Sequence, residues 1–246
     1  MAGSPVPKRA HMKQAPLIVI PARMASARLP DKPLADIGGV PLVGHVWGRA
    51  VAARVGEVVV AAGDAEIVDA VRGLGGVAVL TDVALPSGTD RVRAAADMVD
   101  PNGARAVINL QGDMPDVGAD VLRMVAERLA GEDAEIVTAV VAREGELGPD
   151  RVKAVLAEDG RALYFTRAEA PFGAGPRFQH VGIYGFSRAA LERFCALPPS
   201  PLERREKLEQ LRALEAGMRI DCVEVDHVPL SVDTPEDLAR ARRELA

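Results

Sequence analysis

The apolar positions of the chain fall into short unbroken runs that alternate with segments of helical spacing. Residues 17–20 are β-branched-rich and free of charge, which suits a strand buried on both faces, with Pro21 ending it. Residues 57–62, 77–80, 105–110 and 135–141 repeat that apolar pattern, three of them after a charged first residue, Glu57, Arg105 and Glu135. Between them, residues 41–54, 64–74, 87–99 and 117–129 read as helices. Pro41 opens the first, Asp64 is placed to cap the second, and Gly75-Gly76 stops it. This alternation predicts an α/β fold, a mostly parallel, doubly wound sheet with helices on both faces. Residues 152–156 and 162–166, joined through Asp159-Gly160, then read as a β-hairpin. The hairpin breaks the alternation and marks a small inserted lobe, a subregion at about 150–220. Residues 180–186 form a further strand that puts His180 and Tyr184 on one side. Residues 201–217 read as one amphipathic helix, with Leu208, Leu211 and Leu214 on its apolar stripe and Glu209 and Gln210 on its polar side. Near the end, Thr234 as N-cap, Pro235 at the first helical position and Asp237 in the first turn mark a last helix. Asp233, just before them, has no such structural reason.

Composition changes this picture little. With 246 residues, 48% of them hydrophobic, the chain can fill one large α/β core, assigned to residues 16–246. Residues 1–15 are polar, contain prolines and lack a signal-peptide core, so they read as a disordered leader or an expression remnant. The 30 basic and 35 acidic residues give a net charge of -5, which argues against a nucleic-acid partner. An anionic substrate must then be drawn in by local Arg and Lys. Cys195 and Cys222 lack metal-ligand spacing and read as reduced thiols. No apolar run approaches the roughly 18 residues of a membrane span. Together these predict a cytoplasmic protein with no membrane partner.

The candidate chemistry lies at the ends of the predicted strands. Arg23, Arg28 and Lys32 follow the first strand with no acidic residue before Asp31. Open α/β sheets bind ligands at the carboxyl ends of their strands, and guanidinium forks match phosphate oxygens. The loop therefore suits a polyphosphate such as a nucleoside triphosphate; the alternative is a solvated loop with scattered cations. It is not a Walker loop, since no Gly-x-x-x-x-Gly-Lys-Ser/Thr occurs. In Pro86-Ser87-Gly88-Thr89-Asp90-Arg91, Ser87 or Thr89 can cap a helix whose first amides can also receive a base edge or phosphate. Asp113, beyond the 105–110 strand, is placed either as a metal ligand or as a turn residue, and Gly112 permits a tight turn.

The spacing Arg23-x-x-Ser26-x-Arg28-Leu29-Pro30-x-Lys32-Pro33 resembles the signature of the sugar-acid cytidylyltransferases. The Pro-Ser-Gly-Thr-Asp-Arg, Gln111-Gly112-Asp113, VKAVLAEDGRALYFTR and Val-Asp-Thr-Pro-Glu-Asp-Leu segments follow in the family's order, and the likeness spans residues 17–245. It comes nearest to the 3-deoxy-manno-octulosonate (Kdo) cytidylyltransferase family. That resemblance implies conversion of CTP and Kdo into CMP-Kdo and pyrophosphate for lipopolysaccharide assembly. Arg23, Arg28 and Lys32 would hold the triphosphate, with Ser87, Arg91 and Gln111 around the nucleotide. Asp113 and Asp233 would hold one or two Mg²⁺, and Arg167, His180, Tyr184, Glu209 and Gln210 would line the sugar-acid pocket. The 201–217 helix would take part in a homodimer. The chain departs from the pattern at Met24, Ala27, Leu85, Met114, residues 169–175 and Ser231. Two further readings stay open: an 8-amino relative of Kdo or a nonulosonic acid as acceptor, and a noncatalytic nucleotide-binding scaffold. A metal-dependent glycosyltransferase would carry Asp-x-Asp, whereas Asp113 is followed by Met-Pro-Asp.

Overall fold

The computed structural model describes residues 14–26, 28–131 and 133–245. The expectation for residues 1–13 and the departure at Ala27 lie outside these; Gln14 and Ala15 are exposed coil. Five strands carry the core of the sheet: β1 (Leu17–Ala22), β4 (Glu57–Ala62), β5 (Val77–Leu80), β6 (Val107–Asn109) and β7 (Ile136–Arg143). Two short strands, β2 (Asp36–Ile37) and β3 (Val40–Pro41), pair beside them. The hairpin is β8 (Lys153–Leu156) and β9 (Ala162–Thr166), followed by β10 (Arg177–Phe186) and β11 (Ile220–Glu224). The main path runs β11-β7-β10-β6-β1-β4-β5, with the hairpin joined to β10 through β8. β10 is antiparallel to both β6 and β7, and the other pairs on that path are parallel. The sheet is therefore mostly parallel, as the alternation predicts, with one antiparallel strand at its centre.

Helices cover both faces. α1 (Leu42–Ala53), α2 (Ala65–Gly73) and α4 (Ala119–Leu129) meet Ile18, Ile20, Val58 and Val60 on one side. α3 (Gly88–Val99) and α5 (Arg188–Ala196) meet Leu17, Val19, Val59 and Ala61 on the other. Both sets of strand side chains are buried, which explains why these strands read as unbroken apolar runs rather than as alternation. A third cluster joins Leu29, Ile37 and Leu42 to Leu230, Val232 and the last helix, α8 (Pro235–Leu245), through Leu238 and Ala241. It fastens the end of the chain beneath the cationic loop.

Three local expectations are corrected. Pro21 does not end β1, which continues to Ala22. Residues 17 and 19 bond toward β6 and Ala22 toward the β4 side, so Pro21 faces the β6 side, where the ladder has already stopped at Val19 and Asn109. The missing proline N–H is not needed there. Asp64 makes no capping bond to α2; its Oδ2 instead accepts from the Met24 amide at 2.8 Å, bracing the cationic loop. Residues 201–217 are not one helix. α6 (Pro201–Glu206) stops at Lys207 in the left-handed region (φ 57°), and α7 (Leu211–Glu215) restarts after a turn. Tertiary bonds explain the break, because the hairpin claims Glu206. Its carboxylate accepts from Thr166 Oγ1 (2.9 Å) and the Arg167 amide (3.0 Å), and its carbonyl accepts from Arg167 Nε (3.0 Å).

Candidate active site

Arg23, Arg28, Lys32, Ser87, Arg91, Gln111 and Asp113 line a single cleft of about 320 Å³ at the carboxyl ends of β1 and β6. Asp233 joins them from the far end of the chain. Lys32 Nζ lies 2.9 Å from Asp113 Oδ2 and 3.0 Å from Asp233 Oδ1, and Arg28 lies 3.2 Å from the same Asp233 oxygen. Two backbone features bring the aspartates together. The Val232 amide donates to the Asp113 carbonyl at 2.9 Å, and Val232 itself is fully buried in the third cluster. Gly112 crosses the end of β1 so closely that a Cβ would stand 2.8 Å from the Pro21 carbonyl oxygen, so no other residue fits that passage. Thr234 caps α8 as predicted, its Oγ1 accepting from the Asp237 amide at 3.2 Å. The Asp237 carboxylate in turn accepts from the amides of Asp233 and Thr234. The capping group thus fixes the backbone of Asp233 and leaves its side chain directed at Lys32.

The electrostatics of Lys32 follow from this placement. Burial alone would pull its pKa down, but the carboxylates of Asp113 and Asp233 outweigh that and hold it above the ordinary value. Two hard oxygen donors carrying two negative charges already grip one cation here. That donor set fits Mg²⁺, which commonly takes one or two carboxylates and completes its shell with water and substrate phosphates. Among the described residues no cluster of three or more His, Cys, Asp or Glu forms an all-protein metal cage.

Arg91 is 2% exposed and lines the same cleft. It donates to Thr81 Oγ1, which in turn donates to the Ala62 carbonyl at 2.8 Å. Its second terminal nitrogen has no hydrogen-bond partner among the described residues. Burial first, and the nearby Arg23 charge second, lower its pKa. A buried guanidinium with an unused donor, in one cleft with Arg23, Arg28 and Lys32, is a receptor for an anionic or carbonyl oxygen. Ser87 caps α3 as expected, accepting from the Asp90 amide at 3.1 Å.

The residues expected to hold the sugar acid are only partly brought together. Tyr184, Glu209 and Gln210 line one small cavity with Thr89, and the His180 ring lies 5.4 Å from that of Tyr184, on the same side of β10 as predicted. Gln210 is buried, not on a polar face, because the turn after Lys207 directs it inward; its Nε2 has no partner among the described residues. The Arg167 side chain is tied to the Glu206 and Pro149 carbonyls and does not line the cavity that Tyr184, Glu209 and Gln210 share. His180 Nε2 sits 3.0 Å from Thr138 Oγ1, and burial pulls its pKa down to about 4. The unfolded ring takes its proton near pH 6.5, so stability falls as pH drops from there toward 4, by about 3 kcal/mol at most. Urea unfolding should therefore show a smaller loss between pH 7 and 4.5 in His180→Phe than in the wild type; an unchanged loss would place that sensitivity elsewhere.

Sequence reasoning passed over Thr81, Asn109 and Lys153. Asn109 had a signal, a carboxamide inside the apolar run 107–110. Lys153 is fully buried, and its ammonium donates at 2.7 Å to the carbonyls of Gly148, Arg151 and Arg167, knitting the base of the hairpin lobe. Nothing in its local pattern announced that role.

Comparison with known proteins gives the family. The cytidylyltransferase family matches residues 17–220. A 3-deoxy-manno-octulosonate cytidylyltransferase of Parvibaculum lavamentivorans is 55% identical over all of this chain and 98% of its own. One from Rhodospirillum centenum is 57% identical over 92% of each. Among solved structures, a CMP:2-keto-3-deoxy-manno-octonic acid synthetase complexed with CTP superposes with a TM-score of 0.89 at 36% identity, covering 94% of this chain and 98% of that one. The chain belongs to the 3-deoxy-manno-octulosonate cytidylyltransferase family.

Proposed function

We propose that the protein transfers the cytidylyl group of CTP to Kdo, giving CMP-Kdo and pyrophosphate. The observation that carries this reading is the meeting of Asp113, Asp233 and Lys32 at the mouth of a cleft lined by Arg23, Arg28 and Arg91. The relatives' names and the CTP in the solved neighbour support the choice of substrates. The anomeric hydroxyl of the sugar acid gives up its proton to solvent and attacks the α-phosphorus, a P–O bond forms, and the bond to the departing pyrophosphate breaks. Such a transfer needs charge neutralisation and alignment more than a covalent nucleophile. Arg23, Arg28 and Lys32 supply positive charge to the triphosphate and to the pyrophosphate as it leaves. The Arg91 donor and the Ser87 turn bind and orient the rest of the nucleotide. Asp113 and Asp233 would hold Mg²⁺, which supplies Lewis-acid charge and lowers the pKa of a bound hydroxyl. Tyr184, His180, Glu209 and Gln210 read the acceptor's hydroxyls, and Arg167 would pair with its carboxylate only by leaving the Glu206 and Pro149 carbonyls. No helix among the described residues is long and apolar enough to cross a membrane. A homodimer making an activated sugar for lipopolysaccharide in the cytoplasm completes the proposal.

The test is pyrophosphate release from each of the four nucleoside triphosphates with Mg²⁺, with and without Kdo. Release with CTP that depends on Kdo is expected; release independent of Kdo, or none from folded protein, contradicts the proposal. Arg28→Ala should raise the CTP KM about 10-fold, the scale of one lost charged hydrogen bond. The Arg28 side chain is 67% exposed, and such ion pairs contribute about 0–1 kcal/mol, so its melting temperature should barely move. Unchanged kinetics would return Arg28 to a solvated surface charge.

A further inference from the structure

Asn109 is fully buried at the end of β6, where a carboxamide out of water costs free energy unless its polar atoms are paired. Its Oδ1 accepts from Gln111 Nε2 at 3.2 Å, and its Nδ2 donates to Thr89 Oγ1 at 3.4 Å. Thr89, 5% exposed in the first turn of α3, donates its own hydroxyl proton to Glu209 Oε2 at 2.7 Å. A continuous chain, buried at Asn109 and Thr89 and half-buried at its two ends, thus runs from Gln111, in the cleft with Lys32 and Arg91, to Glu209, beside Tyr184 and Gln210.

Chemistry fixes the direction of this chain. An ionised carboxylate only accepts, so the single proton of Thr89 points at Glu209. The Thr89 oxygen then accepts from the Asn109 amide, and the Asn109 carbonyl is left to accept from Gln111. Gln111 is thereby turned with its nitrogen inward, so that its carbonyl oxygen is the atom presented to a ligand. Packing asks for none of this, because Leu at 109 and Val at 89 would fill similar space without burying polar groups. In the protein interior such linked bonds reinforce one another.

We propose that Asn109 and Thr89 are positioning residues that hold Gln111 and Glu209 in register and so couple the nucleotide and acceptor halves of the site. The identity of those halves rests on the cytidylyl transfer proposed above. An acceptor that engages Glu209 fixes the Thr89 hydroxyl and, through Asn109, the Gln111 amide. By linkage the nucleotide must favour acceptor binding by the same factor.

The experiment measures Kdo affinity by calorimetry with and without α,β-methylene-CTP, which does not react. In the wild type the analogue should tighten Kdo binding at least about five-fold. Thr89→Val and Asn109→Leu should bring that ratio close to one, while Thr89→Ser, which keeps the hydroxyl, should preserve it. A merely structural role would lower the melting temperature and leave the ratio alone, and that result overturns the proposal, as does a wild-type ratio of one. Should neither apolar variant fold, Gln111→Leu and Glu209→Leu, which remove the terminal donor and the terminal acceptor, cut the two ends of the chain instead. Their effects on the Kdo KM must then be non-additive, and strict additivity overturns the coupling. Wild-type protein that makes no CMP-Kdo contradicts the proposed reaction and removes this inference with it. Wild-type turnover with an unchanged ratio in the variants contradicts the coupling alone.

Discussion

Asp233→Asn should leave the protein folded and lower turnover by about 10²–10³-fold, the scale of losing one electrostatic stabiliser of the transition state. The substitution keeps the size of the side chain and removes one of the two negative charges that face Lys32 at 2.9 and 3.0 Å. A site that holds a hard divalent cation through charged oxygens cannot lose half of its protein charge without losing affinity. Asp113→Asn should behave alike, since its carbonyl, which ties it to Val232, is untouched. Neither aspartate caps a helix, so melting temperatures should change by only a few degrees. Steady-state assays across a Mg²⁺ titration check this. A folded Asp233→Asn with wild-type turnover, or wild-type activity in EDTA, would dissolve the two-aspartate site.

Lys32→Met should have a comparable kinetic effect and add a loss of stability that Mg²⁺ relieves. Without the ammonium, the carboxylates of Asp113 and Asp233 face each other uncompensated. The ligand-free variant should lose about 1–2 kcal/mol, less than for a fully buried pair because all three groups keep some exposure. Mg²⁺ binds the native state of such a pair and stabilises it by mass action. Millimolar Mg²⁺ should therefore raise the melting temperature of Lys32→Met more than that of the wild type, where Lys32 competes for the same oxygens. The raised pKa of Lys32 adds a pH limit: its contribution in the wild type is complete below its unfolded pKa near 10.4 and is lost as pH rises through the folded value. Thermal scans with and without Mg²⁺ decide this, and equal shifts in both proteins would show that the two carboxylates do not share a cation.

The half of the site proposed to hold the nucleotide was legible in the sequence because its parts obey local rules. Arg23, Arg28 and Lys32 sit in one loop after an unmistakable buried strand, and Asp113 follows another. Asp233 stood out because its neighbours Thr234, Pro235 and Asp237 were explained by capping and it was not. The half proposed to hold the acceptor was less legible because tertiary bonds decide it. The pull of the hairpin on Glu206 and the left-handed Lys207 break a segment whose periodicity spells one helix, and that break turns Gln210 inward. Pro21 and Asp64 were misread for a related reason. A proline that faces a spent ladder costs nothing, and an aspartate before a helix can serve a neighbouring loop instead. The chain Gln111–Asn109–Thr89–Glu209 joins three segments and has no sequence period at all.

The divergent stretch 169–175 lies next to Arg167 and is the natural place for altered acceptor selectivity. A pocket that hydrogen-bonds hydroxyls rejects analogues strongly, because its own polar groups would be left unpaired. The most direct measurement supplies the wild-type chain with CTP and Mg²⁺ and, separately, Kdo, its 8-amino relative or a sialic acid, and quantifies each CMP-sugar by mass spectrometry. CMP-Kdo should form with a preference of at least about 10²-fold over the other two products. Product from the amino sugar or sialic acid alone, or no product from folded protein with any acceptor, would contradict the assignment.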